Sequence, residues 1–142
     1  MKRTFAILLT LITFLSFSQE NEKDWNLYKE VNGIKINYKY QECHDVHNGI
    51  HQELVLFQFV NKTENDIKID FDFSLIYSNT KSLISKTSEQ RKQILIKKLS
   101  TYESSCFENR EYTIFSKFLN YTDKSELQKF DLKNIKINPT KL

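Results

Sequence analysis

Glycine is nearly missing from this chain. Two glycines in 142 residues cannot build a phosphate-cradling loop or a dinucleotide-binding turn, where several glycines let the backbone close on its ligand. Other catalytic signatures are missing too. No Gly-x-Ser-x-Gly elbow presents a nucleophile, and no His-Glu-x-x-His helix presents two imidazoles to zinc. Cysteine is limited to Cys43 and Cys106, too far apart for a CxxC redox motif. These absences argue against an enzyme, and no catalytic residue is assigned. Charge of one sign is also scarce: the net charge is +3 and no long basic run occurs. The doublets Arg91-Lys92 and Lys97-Lys98 read as solvated faces, so nothing here is built to grip nucleic acid. Finally, no apolar run reaches the ~20 residues needed to span a bilayer.

The longest apolar run, residues 5–15, has a different meaning. It follows the basic start Met1-Lys2-Arg3 and precedes Ser16-Phe17-Ser18, with small residues at the −3 and −1 positions of a cleavage site. That order is a secretory signal peptide. The expected organisation is a signal peptide over 1–18 and one domain over 19–142, periplasmic or extracellular. Without Lys2 and Arg3 the chain carries 19 basic and 18 acidic residues, a net charge of +1. No cysteine follows the cleavage site, so no lipid anchor is expected there. In an oxidising compartment Cys43 and Cys106 most simply form one disulfide.

Both glycines follow asparagine, and Asn-Gly is the strongest short hairpin signal. A two-residue turn at Asn32-Gly33 pairs Val31 with Ile34, Glu30 with Lys35, Leu27 with Tyr38 and Trp25 with Tyr40. Apolar pairs then share one face, and only Lys29 opposite Ile36 is a misfit. Residues 50–60 are apolar on both faces, as in a central strand covered on both sides. Residues 67–77 alternate strictly: Ile67, Ile69, Phe71, Phe73, Leu75 and Tyr77 point one way, and Asp66, Lys68, Asp70, Asp72 and Ser74 the other. Further strands are expected near 93–99, 112–119 and 127–137, with Pro139 ending the last. About seven strands with polar turns predict an all-β, two-layer antiparallel β-sandwich, immunoglobulin-like by analogy only, because Trp25 precedes both cysteines.

All three histidines fall between Cys43 and His51. Imidazole suits zinc and copper. A two-residue turn at Asn48-Gly49 pairs His44 with Glu53 and sets His51 diagonally on the same face. That makes His44, His51 and Glu53 a candidate metal set, joined by His47 only if the turn is looser. The alternative is a solvated hairpin tip. Asp66, Asp70 and Asp72 spread along a flat strand and do not converge as calcium requires. Tyr102, Phe107, Tyr112 and Tyr121 fall in or near loops, where aromatics either bind partners or fill corners. Asn61-Lys62-Thr63 and Asn120-Tyr121-Thr122 match the N-glycosylation acceptor pattern.

The junction Phe17-Ser18-Gln19 and the run from Tyr28 to Tyr40 followed by Cys43 resemble small uncharacterised exported β-sandwich proteins of Gram-negative bacteria. The resemblance implies a location outside the cytoplasm and transfers no functional residue. The function expected is a non-enzymatic module binding a protein or envelope component through the loops around 44–49, 78–82 and 103–110. The alternatives are zinc or copper binding at the histidine hairpin, and carriage of a small apolar ligand between the sheets.

Overall fold

The computed structural model describes residues 24–78, 83–84, 91–120 and 125–140. The leader expected at 1–18 lies outside them. The described chain is all-β: β1 (Asn26–Val31), β2 (Ile34–Asp45), β3 (Ile50–Asn61), β4 (Ile67–Tyr77), β5 (Leu83–Ile84), β6 (Arg91–Ile96), β7 (Thr101–Glu103), β8 (Ile114–Phe118) and β9 (Leu127–Pro139). Two antiparallel sheets pack as a sandwich. In one, β2 separates β1 from β3, and the far edge of β3 pairs with β7 and β8. In the other, β4 pairs with β9 along one edge and with β5 and β6 along the other. Each sheet is therefore built on one long strand flanked by one long partner and two short ones. Among the described residues no helix is long and apolar enough to cross a membrane.

The strict alternation of β4 does what its period dictates. Ile67, Ile69, Phe71 and Phe73 are buried, and their faces meet Phe57 and Phe59 of β3. Phe57 lies 5.5 Å from Phe73, and Phe59 lies 5.5 Å from Phe71, centroid to centroid. Phe130 of β9 closes the stack edge-on against Tyr38 and Phe57. Each such ring removed from water stabilises the fold by roughly 1.5–3 kcal/mol. Two tyrosine hydroxyls tie the sheets together. Tyr28 donates to Asp131 and accepts from the Leu132 N–H at 2.9 Å. Tyr77 donates to the Phe115 carbonyl at 2.7 Å.

On its outward side β4 is less solvated than its alternation suggests. Asp70 is buried, with Gln93 donating to it at 2.9 Å and Lys68 and Arg91 within 4.0 Å.

The two apolar faces of β3 are also explained. Val55, Phe57 and Phe59 enter the main core, while Leu54 and Leu56 form a second small core on the outer face with Cys43, Cys106, Trp25 and Phe115. The disulfide Cys43–Cys106 sits in that cluster and spans 63 positions of sequence, with Cα atoms 5.5 Å apart.

The first hairpin keeps the expected register for Val31↔Ile34, Glu30↔Lys35 and Lys29↔Ile36. Asn32 (φ 50°) and Gly33 (φ 76°) supply the positive φ angles of its turn. The register then slips by one at Tyr28, so Leu27 opposes Asn37 rather than Tyr38. This bulge turns Tyr28 toward the core and Trp25 outward, where Lys39 Nζ lies 4.7 Å from its ring centroid. The misfit of Lys29 opposite Ile36 is retained. β6 starts and stops earlier than expected, because Lys97 to Ser100 form a turn with Leu99 at φ 51°. β8 begins at Ile114, after a 3-10 turn over Arg110–Tyr112.

Candidate functional site

The second hairpin joins β2 to β3 and carries all three histidines. Its turn has four residues, Val46 to Gly49, rather than two, because Asp45 pairs directly with Ile50. Asp45 sets this length. Its carboxylate accepts from the Asn48 backbone N–H at 3.2 Å and from the Asn48 side-chain amide at 2.8 Å, closing the turn ahead of Gly49 (φ 63°). These bonds, the side-chain one foremost, hold the Asp45 carboxyl below its ordinary range.

The longer turn corrects the expected register by two residues. His44 faces His51 directly, and Glu53 faces Glu42 instead of His44. The ring nitrogens His44 Nδ1 and His51 Nδ1 are 2.8 Å apart, with ring centroids at 5.1 Å. The other nitrogen of His44, Nε2, lies 3.7 Å from Glu42 Oε2. Glu53 turns away and accepts from Ser116 Oγ at 2.8 Å. The structure thus brings His44 and His51 together, leaves Glu53 on a different partner, and keeps His47 out in the exposed turn. Among the described residues no group of three or more His, Cys, Asp or Glu side chains converges to hold a metal ion. Glu42 was not foreseen; the register error hid it.

Alternation places Tyr38, Tyr40, Glu42 and His44 on the core side of β2. Tyr38 packs against Phe130 of the opposite sheet, whereas Tyr40 is 49 % exposed. The hairpin therefore overhangs the sandwich from Tyr40 outward, and its two carboxylates and two imidazoles stand at the rim.

The opposite face of the same overhang is apolar. The loop carrying Cys106 folds over Cys43 there. It is stiffened by Ser105 Oγ, which accepts from the N–H groups of Phe107 and Glu108, and by the Asn109 amide on the Glu103 carbonyl. Ser104 Oγ is buried and accepts from the Phe57 N–H at 2.8 Å. Phe107 beside the disulfide is 68 % exposed and Val46 at the tip is 77 % exposed. Phe118, two strands across from Cys43, is 37 % exposed and packs on Phe115 at 4.8 Å.

The other loop aromatics sort differently. Tyr102 and Tyr112 meet edge to face at 5.4 Å, and Tyr112 donates to the Gln93 carbonyl of the other sheet, as corner-fillers do. Burial, then Tyr112 and Glu111, push the Tyr102 hydroxyl up to about 12. Tyr121 lies outside the described residues, as does Thr122 of the second acceptor pattern. Of the expected loop 78–82, only Ser78 is described. Asn61 of the first acceptor pattern is 1 % exposed and fully engaged in hydrogen bonds, so its amide is closed to modification.

The interior between the sheets is filled by the phenylalanine stack. A recess lined by Lys68, Asp70, Arg91 and Gln93 lies instead on the outer face of the second sheet and is polar. Comparison with protein-family models, characterised proteins and solved structures finds no match.

Proposed function

We propose that this protein is exported and works without catalysis, as a module that binds another protein or an envelope component through the overhanging end of the β2–β3 hairpin. The observation that carries the reading is the outer face of that end. Val46, Phe107 and Phe118 present apolar surface there, on a loop and strands pinned by the disulfide. Large side chains held by a rigid support are what an interface anchor needs, because little conformational freedom is lost when a partner covers them. A disulfide in a chain with no other cysteine fits an oxidising compartment, as does the basic, apolar, small-residue order of residues 1–18.

The test is site-specific photo-crosslinking in cells, with the reactive residue placed in turn at Phe107, Phe118 and Leu95. Leu95 is also exposed but sits on the other sheet. The expected result is one discrete adduct from positions 107 and 118 and none from 95. Equal labelling from all three positions would overturn the reading.

A further inference from the structure

The core-side face of the same overhang has its own chemistry, independent of the apolar patch. His44 Nδ1 and His51 Nδ1 face each other at 2.8 Å. At that distance either one ring donates its N–H to the lone pair of the other, or both lone pairs hold one metal ion. Two features suit the metal. First, with metal–imidazole bonds of about 2.0 Å, this separation subtends an angle of about 90° at the ion, the angle between neighbouring corners of a square. A tetrahedral zinc ion would need the two nitrogens about 3.3 Å apart. Second, Glu42 Oε2 lies 3.7 Å from His44 Nε2. Too far for a hydrogen bond, the carboxylate still places negative charge beside the imidazole pair and stabilises a cation held there.

We propose that His44 and His51 form a two-nitrogen chelate for one copper(II) ion at the tip of the β2–β3 hairpin, with Glu42 adding negative charge beside His44 and water completing the coordination. Copper(II) also heads the divalent affinity order for nitrogen ligands. Both cysteines are held in the disulfide, so no thiolate competes for the ion. His47, in the exposed turn, is the internal control.

The experiment titrates the purified, disulfide-bonded protein with copper(II) chloride, read by calorimetry and by paramagnetic broadening of backbone amide signals. The expected result is binding of a single ion, with broadening centred on residues 42–53. His44→Ala and His51→Ala should each weaken binding by about ten-fold or more, while His47→Ala leaves it unchanged. Zinc chloride should bind more weakly than copper. Broadening centred elsewhere, such as the chain N-terminus, would overturn the proposal, as would unchanged affinity in His44→Ala or His51→Ala. Tighter binding of zinc than of copper would overturn it as well. All three substitutions fall at the rim of the sandwich, outside both cores, and the amide spectrum reports directly whether each variant stays folded.

Discussion

The two ends of the β2–β3 hairpin belong to one continuous ladder and are secured by opposite means. At the root, Asn61 closes β3 and gathers the chain around it. Its amide donates to the carbonyls of Asn65 (2.8 Å) and Lys97 (3.0 Å), and its carbonyl accepts from the Thr63 N–H and hydroxyl. One side chain thereby ties the crossover from β3 to β4 to the turn that leads from β6 back to β7. Backbone bonds from Asn61 to Ser100, Lys62 to Gly33 and Leu99 to Thr63 complete the closure. At the tip the hairpin runs past the opposing sheet, and one covalent bond and one Asx-type turn steady it beyond its ladder to β8. The root is thus packed and directional, whereas the tip is open and rests on a bond that a reductant can break. An end that must meet something outside the protein has reason to be the second kind.

This contrast can be broken most forcefully at the disulfide. Replacing both Cys43 and Cys106 by Ser should cost about 4 kcal/mol in the chain-entropy account of cross-linking, measured by urea denaturation. Reduction without mutation should accelerate amide hydrogen exchange over residues 104–113 and spare residues 61–67; uniform acceleration would show that the ends are not independent. At the root, Asn61→Ala strands two carbonyls and two donors in a buried setting and should cost about 3 kcal/mol by thermal or urea unfolding. A loss near zero would deny the clasp its role.

The two glycines sharpen the comparison on a smaller scale. Both have positive φ, but a methyl group added at Gly33 would meet Thr63 Cγ2 at 2.7 Å, whereas one added at Gly49 meets nothing within 4 Å. Gly33→Ala should therefore cost about 2 kcal/mol and Gly49→Ala about 1 kcal/mol. Equal costs would mean that the root is no tighter than the tip.

The smallest effect is electrostatic. The Asp45 carboxyl is held below its ordinary range by Asn48, so its contribution to the turn is complete above the unfolded-state value and is lost as pH falls through the lowered one. The Asn48 amide signal should titrate with a midpoint below that of an ordinary aspartate. Asn48→Ala should raise the midpoint of the Asp45 carboxyl. The contacts of Asn61 itself are to amides, carbonyls and a hydroxyl, and they should not respond over the same range.

The elements most legible in the sequence were those whose energetics are periodic. β4 follows from alternation alone, and the doubly apolar β3 announced a cover on each face before the second core was visible. The disulfide followed from cysteine count and context. Register was harder wherever a single side chain overrules the repeat. Asn48-Gly49 reads as a two-residue turn, yet Asp45 closes a four-residue one, and that one bond decides that His44 meets His51 rather than Glu53. The bulge at Tyr28 breaks the repeat without a local signal, and the hydroxyl it turns inward meets Asp131 across 103 positions. β7, with three residues, is too short to carry a period. Asn61 stood out only as the start of an acceptor pattern, because nothing local marks an asparagine as the knot of three segments.

The cystine link encloses the end of β2 and all of β3 to β7, and so takes in strands from both sheets. A protease that cuts anywhere between residues 43 and 106 therefore releases nothing. The two fragments migrate as one species until a reducing agent separates them, and a peptidase that nicks this stretch leaves the molecule in one piece.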